Sequence, residues 1–236
     1  MTSICKILPW DSSHFGVRVA RVETNRLQPA TVAAIKVWLN ANPVDCLYFL
    51  AVPEAETMKL AAEAGFRFVD ARVTLEYILP KIPRSESIGS VRAAVSRDIP
   101  ELQRIASESH HDSRFYVDGN FSREACDELY RIWIRKDFDN KAGAVFVAEQ
   151  DNKPVGYNSI YPSDGDGVIS LTAIDSRYRG SGLATHLMNR SEAWFHEQNV
   201  RRITVPTQVA NIPALRLYES RGFKIAKVEH WFHRWC

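Results

Sequence analysis

The sequence predicts a mixed α/β fold built on a mixed, mostly antiparallel sheet, and three features support this prediction. Apolar stretches at residues 144–149, 155–161 and 168–174 are separated by turn-forming residues, which predicts a meander of antiparallel strands. A turn with two glycines follows, directly before an amphipathic helix. Strands and helices then alternate to the end of the chain. This order of elements is typical of layered α/β domains.

A stretch with two prolines and several small polar residues, residues 79–87, predicts a linker between two segments of the chain. We therefore expect one domain over residues 1–85 and a second over residues 86–236. In the first domain, the spacing of apolar residues predicts alternating strands and helices. These are strands at residues 17–22, 46–52 and 68–79, and helices at residues 29–40 and 54–64.

The second domain begins with a predicted strand at residues 90–95 and a helix at residues 98–110, whose first turn contains Pro100. An aromatic-rich loop continues through Asn120, and another helix begins near Ser122. After the meander, the expected elements are a helix from Leu183, a strand at residues 202–206, a helix at residues 213–220 and a strand at residues 224–232.

One pattern recurs within the chain. A leucine, a glycine and a phenylalanine at positions 60, 65 and 66 recur at positions 217, 222 and 223, a constant offset of 157 residues. Each copy lies where a predicted helix turns into a predicted strand. We therefore expect the N-terminal domain to be a degenerate copy of the C-terminal one.

Composition limits the classes of partner. The 30 Lys and Arg residues nearly balance the 28 Asp and Glu residues, so we expect no binding to nucleic acid or to an anionic membrane. The first residues lack the pattern of a secretory signal, and a cytoplasmic location is expected. The four cysteines are far apart and form no CxxC pair, so no metal site is predicted.

The strongest local motif is the stretch RGSGLA at residues 179–184. Two glycines allow the backbone to turn with its N–H groups aligned, and the N-terminus of the following helix adds partial positive charge. This arrangement suits a pyrophosphate group. A dinucleotide-binding fingerprint would need a third glycine, and a Walker loop would need Gly-Lys followed by Ser or Thr. Neither pattern is present.

Residues 173–184, AIDSRYRGSGLA, resemble the acetyl-CoA motif Q/R-x-x-G-x-G/A of GNAT acetyltransferases. Arg179, Gly182 and Ala184 occupy its fixed positions, whereas Ser176 stands where the family commonly has proline. A second stretch, residues 211–223, resembles the family's N-x-x-A-x-x-x-Y-x-x-x-G-F. The resemblance extends over about residues 90–236. It implies a GNAT fold, preceded here by a degenerate GNAT-like domain.

The resemblance implies that acetyl-CoA is the co-substrate and that Tyr218 is the catalytic residue. A phenol beside the departing thiolate would supply a proton to it. At the corresponding position, the N-terminal copy has Ala61. The residues implied to bind acetyl-CoA come from a strand end, the glycine turn and the second motif. They are Thr172, Ala173, Ile174, Arg179, Gly180, Ser181, Gly182, Leu183, Ala184, Thr185 and Asn211.

The sequence does not single out a general base that would deprotonate the acceptor amine. His110, His111, Asp112 and Asp118 cluster in the loop after the first helix of the second domain, which in this superfamily borders the acceptor pocket. Each has a side chain that accepts a proton directly or through water.

A narrower resemblance concerns the acceptor. Residues 10–16, WDSSHFG, and residues 113–116, SRFY, resemble bacterial dTDP-fucosamine acetyltransferases. This resemblance implies a nucleotide-linked amino sugar as the acceptor. Cations and aromatic surfaces suit a nucleotide diphosphate. The predicted substrate-binding residues are Arg114, Tyr116 and Asp118.

Two other functions remain open. The chain could acetylate peptide N-termini or another small amine, because LYESRGF also occurs in peptide-acetylating relatives of the family. A catalytically silent acetyl-CoA-binding module would be indicated if Tyr218 were buried and pointed away from the thioester. An open sheet edge or the aromatic last strand, with Trp231, Phe232 and Trp235, is the predicted place for a homodimer contact.

Overall fold

The structure is a computed structural model that describes residues 3–81 and 89–236. Within these residues it has ten strands and eight α-helices. The strands are β1 (Cys5–Ile7), β2 (Val19–Val22), β3 (Cys46–Ala51), β4 (Arg67–Ile78), β5 (Val91–Ala93), β6 (Ala144–Gln150), β7 (Lys153–Ser163), β8 (Asp166–Ile174), β9 (Arg202–Gln208) and β10 (Lys224–Trp235). The helices are α1 (Pro9–Phe15), α2 (Pro29–Ala41), α3 (Ala55–Glu63), α4 (Ile99–Ser107), α5 (Arg114–Asp118), α6 (Arg123–Asp139), α7 (Leu183–Glu197) and α8 (Ile212–Ser220).

All ten strands form a single mixed sheet in the order β1-β2-β3-β10-β4-β9-β8-β7-β6-β5. The β2–β3 and β8–β9 pairs are parallel, and the other neighbours are antiparallel. The predicted mixed, mostly antiparallel α/β fold is therefore confirmed. None of the described helices combines the length and apolarity needed to cross a membrane.

The last strands of the two segments are exchanged in this sheet. Strand β4, from the N-terminal segment, pairs with β9, whereas β10, from the C-terminal segment, pairs with β3. The offset of 157 residues relates the bounds of α3 to those of α8, and the bounds of β4 to those of β10. The sequence repeat thus coincides with a repeat of whole elements, in which both copies share one sheet.

Most predicted elements lie within a few residues of the observed ones, but three were missed. β1 has three residues, α5 has five and α1 has seven, so each is too short to display a period. Most of the predicted linker, residues 82–88, lies outside the described residues. The division into domains at residues 85 and 86 stays a prediction, and the shared sheet means that the two segments are not separate layers.

Helices cover both faces of the sheet. The buried residues of α4 and α6 pack on one face against strands from both segments, including Tyr48 and Tyr157. Residues of α7 and α8 pack on the other face against β4 and β6 to β9. A third cluster lies beneath α2 and α3. The core beneath α4 and α6 therefore contains residues of both segments, and the candidate site has a cavity on this face.

Candidate active site

Strands β8 and β9 open the sheet at its centre. They pair only at Gly167 with Ile203 and at Val168 with Thr204. Beyond these residues the two strands diverge, so residues 170–174 of β8 are not paired with β9. A gap between parallel strands exposes backbone N–H and C=O groups that an extended ligand can pair with.

Two neighbouring cavities lie at this part of the sheet, and the larger of this pair, with a volume of about 560 Å³, lies over the gap. Its wall combines the end of β8, the glycine turn, the α4–α5 loop and one side of α8. Of the residues predicted to bind acetyl-CoA, those that line it are Thr172, Ala173, Ile174, Arg179, Gly180, Ser181, Gly182, Leu183, Ala184 and Asn211. Thr185, also predicted, lies in the first turn of α7 and is not part of this wall.

The glycine turn has the conformation that its sequence suggests. Gly180 and Gly182 have φ angles of +77° and +81°, in the left-handed region, and both face open space. Arg179 Nε donates to the backbone carbonyl of Ile174 at 3.1 Å and ties the turn to the end of β8. No side chain caps the N-terminus of α7. Gly182, Leu183 and Ala184 line the cavity, so the uncapped first turn of α7 is placed where an anion in the cavity could accept from its N–H groups.

Tyr218 is buried, with 3% of its surface exposed, and lines the larger cavity. Its hydroxyl donates to Thr172 Oγ1 at 3.4 Å, and Thr172 Oγ1 donates to Asn158 Oδ1 at 2.8 Å. Asn158 in turn donates to Ser191 Oγ at 2.8 Å. Burial raises the pKa of Tyr218 above its usual value, so the phenol keeps its proton. Helix α8 presents it because Asn211 caps the helix by accepting from Ala214 N.

A smaller cavity of about 270 Å³ lies on the α4–α6 face. Its lining includes residues of β4, β8, β9 and β10, so both segments build it. The two cavities share a small group of lining residues: His110, Thr172, Asn211, Ala214 and Tyr218. A reaction between one ligand in each cavity would take place beside these side chains.

The four candidate general bases have different positions. His110 lines both cavities, whereas His111 and Asp112 line only the larger one and Asp118 lines neither. The His110 ring stacks on Tyr130 with 4.5 Å between centroids, and its Nε2 lies 3.2 Å from the Tyr157 hydroxyl. Burial lowers the pKa of His110 to about 4. It is therefore neutral at pH 7, the state in which an imidazole accepts a proton.

The three predicted substrate-binding residues also differ in whether they line a cavity. Arg114 lines the smaller cavity. The Tyr116 hydroxyl donates to Asp127 Oδ1 at 2.6 Å, and Tyr116 lines neither cavity. Asp118 is buried among donors, which include the indole N–H of Trp235 at 3.1 Å. Tyr116 and Asp118 thus line neither cavity, and of the three residues Arg114 alone is placed to contact a ligand in one of them.

The sequence analysis missed the cavity residues on β4 and β10. Asp70, Arg72 and Trp231 line the smaller cavity. Asp70 and Arg72 are far in sequence from both motifs, and Trp231 was expected at a dimer contact rather than in a cavity. Burial raises the pKa of the Asp70 carboxyl to about 6, although the Ala71 N–H and the charges of Arg114 and Arg72 oppose the shift. Only the exchange of β4 and β10 brings these residues to the site, and no local pattern reveals that exchange.

The family model described as "Acetyltransferase (GNAT) family" matches residues 100–223, which include both motifs, all but the first residue of α4, and α5 to α8. The chain belongs to the GNAT acetyltransferase family. It is therefore an acetyl-CoA-dependent N-acetyltransferase, as the motifs predicted. The predicted relationship to this family and the predicted enzyme class are both confirmed.

Two relatives and one solved structure extend this finding. The chain is 25% identical to the dTDP-fucosamine acetyltransferase of Escherichia coli O6:H1 over 233 residues, 96% of each chain. It is 28% identical to the spore coat polysaccharide biosynthesis protein SpsD of Bacillus subtilis over 138 residues, 58% of this chain but only 48% of SpsD. The GCN5-related N-acetyltransferase of Sphaerobacter thermophilus has the same fold, with a TM-score of 0.65 and 14% identity over 98% of this chain and 76% of that one.

Proposed function

We propose that this GNAT enzyme transfers the acetyl group of acetyl-CoA to the amine of a nucleotide-linked amino-deoxy sugar, such as a dTDP-4-amino-4,6-dideoxyhexose, for surface polysaccharide synthesis. The observation that carries the proposal is that two cavities meet at Tyr218. The full-length similarity to a dTDP-fucosamine acetyltransferase supports the choice of acceptor, as does the similarity to SpsD.

The larger cavity is the proposed donor site. The N–H groups at Gly180 to Leu183 would bind the pyrophosphate of coenzyme A at the N-terminus of α7. The open edge of β8 would pair with the pantetheine arm, and a backbone N–H near Ile174 would polarise the acetyl carbonyl. Open space at Gly180 and Gly182 supports this role, because a bound phosphate needs close approach to the backbone.

The shared residues are the proposed catalytic centre. Of the four candidate bases, His110 is the one that lines both cavities, so it is the proposed group that takes the proton of the acceptor amine, directly or through water. The neutral amine then forms a bond to the acetyl carbon, and the bond from that carbon to sulfur breaks. Tyr218 donates its proton to the departing thiolate, and the new amide nitrogen gives up its second proton, through water, to the Tyr218 oxygen. Thr172, which accepts from the Tyr218 hydroxyl, holds the phenol in place.

The smaller cavity is the proposed acceptor site. Arg114 supplies positive charge for the diphosphate, and the Trp231 and Phe115 rings offer flat apolar surfaces for the base or sugar. Asp70 supplies negative charge for the amine while it is still an ammonium group. An acceptor with an anionic and a cationic end matches this pair of opposite charges.

The test is a thiol-release assay with acetyl-CoA and a panel of acceptors. The panel holds several dTDP-linked amino sugars, the same sugars without nucleotide, and short peptides with free N-termini. We expect turnover with a dTDP-amino sugar and little with the other two groups. Turnover of peptides alone would assign the chain to the peptide-acetylating group, and acetyl-CoA binding without any turnover would indicate a silent module.

A further inference from the structure

Arg114 is held in an unusual way for a cation in a cavity wall. Its guanidinium carbon lies 4.3 Å from the Tyr48 ring centre, 4.0 Å from that of Phe115 and 4.1 Å from that of Trp231. Rings on several sides restrict the guanidinium to one place, and they favour its charge through the negative faces of their π systems. The aromatic residues come from β3, α5 and β10, so both segments contribute.

The polar partner of Arg114 is a histidine, not a carboxylate. Arg114 Nη1 donates to His233 Nε2 at 2.8 Å. Within residues 3–81 and 89–236, no carboxylate forms a salt bridge with Arg114. Asp70 and Asp11 interact with Arg114 electrostatically through space, and neither is bonded to it. The guanidinium therefore keeps a charge that a ligand anion can satisfy directly.

His233 connects Arg114 to the buried carboxylate of Asp118 through two hydrogen bonds. Its Nδ1 forms a very short hydrogen bond with Asp118 Oδ2, and both side chains are buried. Because Nε2 accepts from Arg114, the ring proton lies on Nδ1 and is donated to Asp118. Burial lowers the pKa of His233 to about 4, against the opposing effect of Asp118, so the ring is neutral at pH 7.

Asp118 is itself fixed as a carboxylate. Burial opposes its ionisation, but hydrogen bonds from His233, Asn120 and Trp235 outweigh burial and hold its pKa at about 2. Asn120 Nδ2 donates at 2.6 Å and Trp235 Nε1 at 3.1 Å. In neutral solution, Arg114 thus donates to His233, and His233 donates to Asp118.

A metal ion is the other use for this cluster, since ligand atoms of Cys46, Asp118 and His233 lie within 4.8 Å of one another. The contacts argue against it. Both ring nitrogens of His233 are already engaged, one of them by a guanidinium that would repel a cation. Burial also raises the pKa of the Cys46 thiol well above its usual value, so the sulfur keeps its proton.

We propose that Asp118 and His233 form a positioning relay that locks Arg114 in the wall of the smaller cavity, where its guanidinium binds the phosphate groups of a nucleoside diphosphate. This inference rests on the proposed acceptor and adds two residues that the ligand never touches. The relay leaves the outward N–H groups of Arg114 free for the anion and prevents the side chain from folding onto Asp70. A fixed fork of donors suits paired phosphate oxygens.

The experiment compares the binding of thymidine diphosphate with that of thymidine, using calorimetry on the full chain. The quantity measured is the ratio of the two Kd values, which isolates the phosphate contribution. The wild type is expected to bind the diphosphate at least about 100-fold more tightly, and Arg114→Ala to lose nearly all of this preference. Asp118→Asn and His233→Gln keep Arg114 but break the relay, and we expect each to reduce the preference about tenfold.

Asp98→Asn is the matched control for loss of stability. Asp98 is also a buried carboxylate paired with an arginine, Arg92, but it lies beside edge strand β5 and lines neither cavity. This variant is expected to melt at a lower temperature while its preference for the diphosphate stays at the wild-type value. Acetyl-CoA affinity, which depends on the larger cavity, serves in every variant as the measure of an intact fold.

The outcomes separate the relay from the proposed function. Wild-type preference retained in both Asp118→Asn and His233→Gln would overturn the relay, and so would a wild type that binds thymidine as tightly as its diphosphate. The wild type could prefer the diphosphate, with the preference lost in the relay variants, and yet acetylate no dTDP-amino sugar. The relay would then still be supported. That result would overturn the proposed acceptor alone.

Discussion

Tyr218 is the proposed proton donor, and its side chain lines both cavities. Tyr218→Phe removes the hydroxyl and its bond to Thr172 but keeps the ring contact with Phe223, whose centroid is 5.5 Å away. We expect kcat to fall on the order of 10²-fold, since one positioned proton donor is lost. The KM for acetyl-CoA should change little. Thiol-release kinetics check this, and an unchanged kcat would remove Tyr218 from the mechanism.

Burial of the Asp70 carboxylate is expected to lower the free energy of unfolding. Its pKa of about 6 in the folded chain exceeds the ordinary value of 3.8, so the fold favours the protonated carboxyl. The stability that this proton gives is complete below about pH 4 and is lost as the pH rises through 6. At pH 8 the ionised carboxylate therefore destabilises the protein, by up to roughly 3 kcal/mol.

Asp70→Asn is accordingly expected to raise the free energy of unfolding at pH 8 and to give no gain at pH 4. Urea unfolding at the two pH values measures this difference. The same variant should raise the KM for the acceptor, because the ammonium group loses its counter-charge. A variant that is less stable than the wild type at pH 8 would mean that Asp70 has a structural partner and no binding role.

The residues predicted to bind acetyl-CoA lie together where a local motif holds them. Ten of the eleven residues predicted to bind acetyl-CoA line one cavity, because the end of β8, the glycine turn and the Asn211 cap of α8 are local features. The sequence analysis did not place Asp70, Trp231 and His233 at the site. These belong to β4 and β10, which become neighbours only through long-range pairing, and a strand pattern does not specify its partner strand.

At the scale of elements, the glycine turn before α7 offers a test with a matched control. Gly182 and Gly165 have φ angles of +81° and +84°, and at both a Cβ atom would meet nothing within 4 Å. Gly182 lines the larger cavity, whereas Gly165 lies in the hairpin between β7 and β8. Alanine at either position costs roughly 1 kcal/mol of stability through left-handed strain.

The two alanine variants should therefore lose similar stability but differ in donor binding. We expect Gly182→Ala to raise the KM for acetyl-CoA several-fold, because the strained turn moves the N–H groups of α7 away from the pyrophosphate. Gly165→Ala should keep the wild-type KM. Thermal melting and steady-state kinetics give both values, and equal KM values in the two variants would contradict the assignment of the turn.

For the molecule as a whole, the exchanged strands predict how the chain unfolds. β4 pairs with β9 and with β10, so neither segment can leave without breaking the centre of the sheet. We expect one cooperative transition in urea, with far-ultraviolet circular dichroism and tryptophan fluorescence coincident. Two separated transitions would show that the segments 1–85 and 86–236 are independent units despite the shared sheet.

The order of the strands also explains why the fold class was predictable but the architecture was not. Periodicity located most strands, and the meander of β6 to β8 followed from the turns between them. The exchange of β4 and β10 has no local signature. It is this exchange that lets an N-terminal copy without a glycine turn contribute Asp70 and Arg72 to the smaller cavity.

We propose that donor and acceptor occupy the two joined cavities at once and that acetyl passes directly between them. Initial rates with acetyl-CoA and a dTDP-amino sugar, both varied, test it most directly. We expect double-reciprocal lines that intersect, with coenzyme A competing against acetyl-CoA and thymidine diphosphate competing against the sugar nucleotide. Parallel lines, which indicate an acetylated enzyme and product release before the acceptor binds, would contradict it.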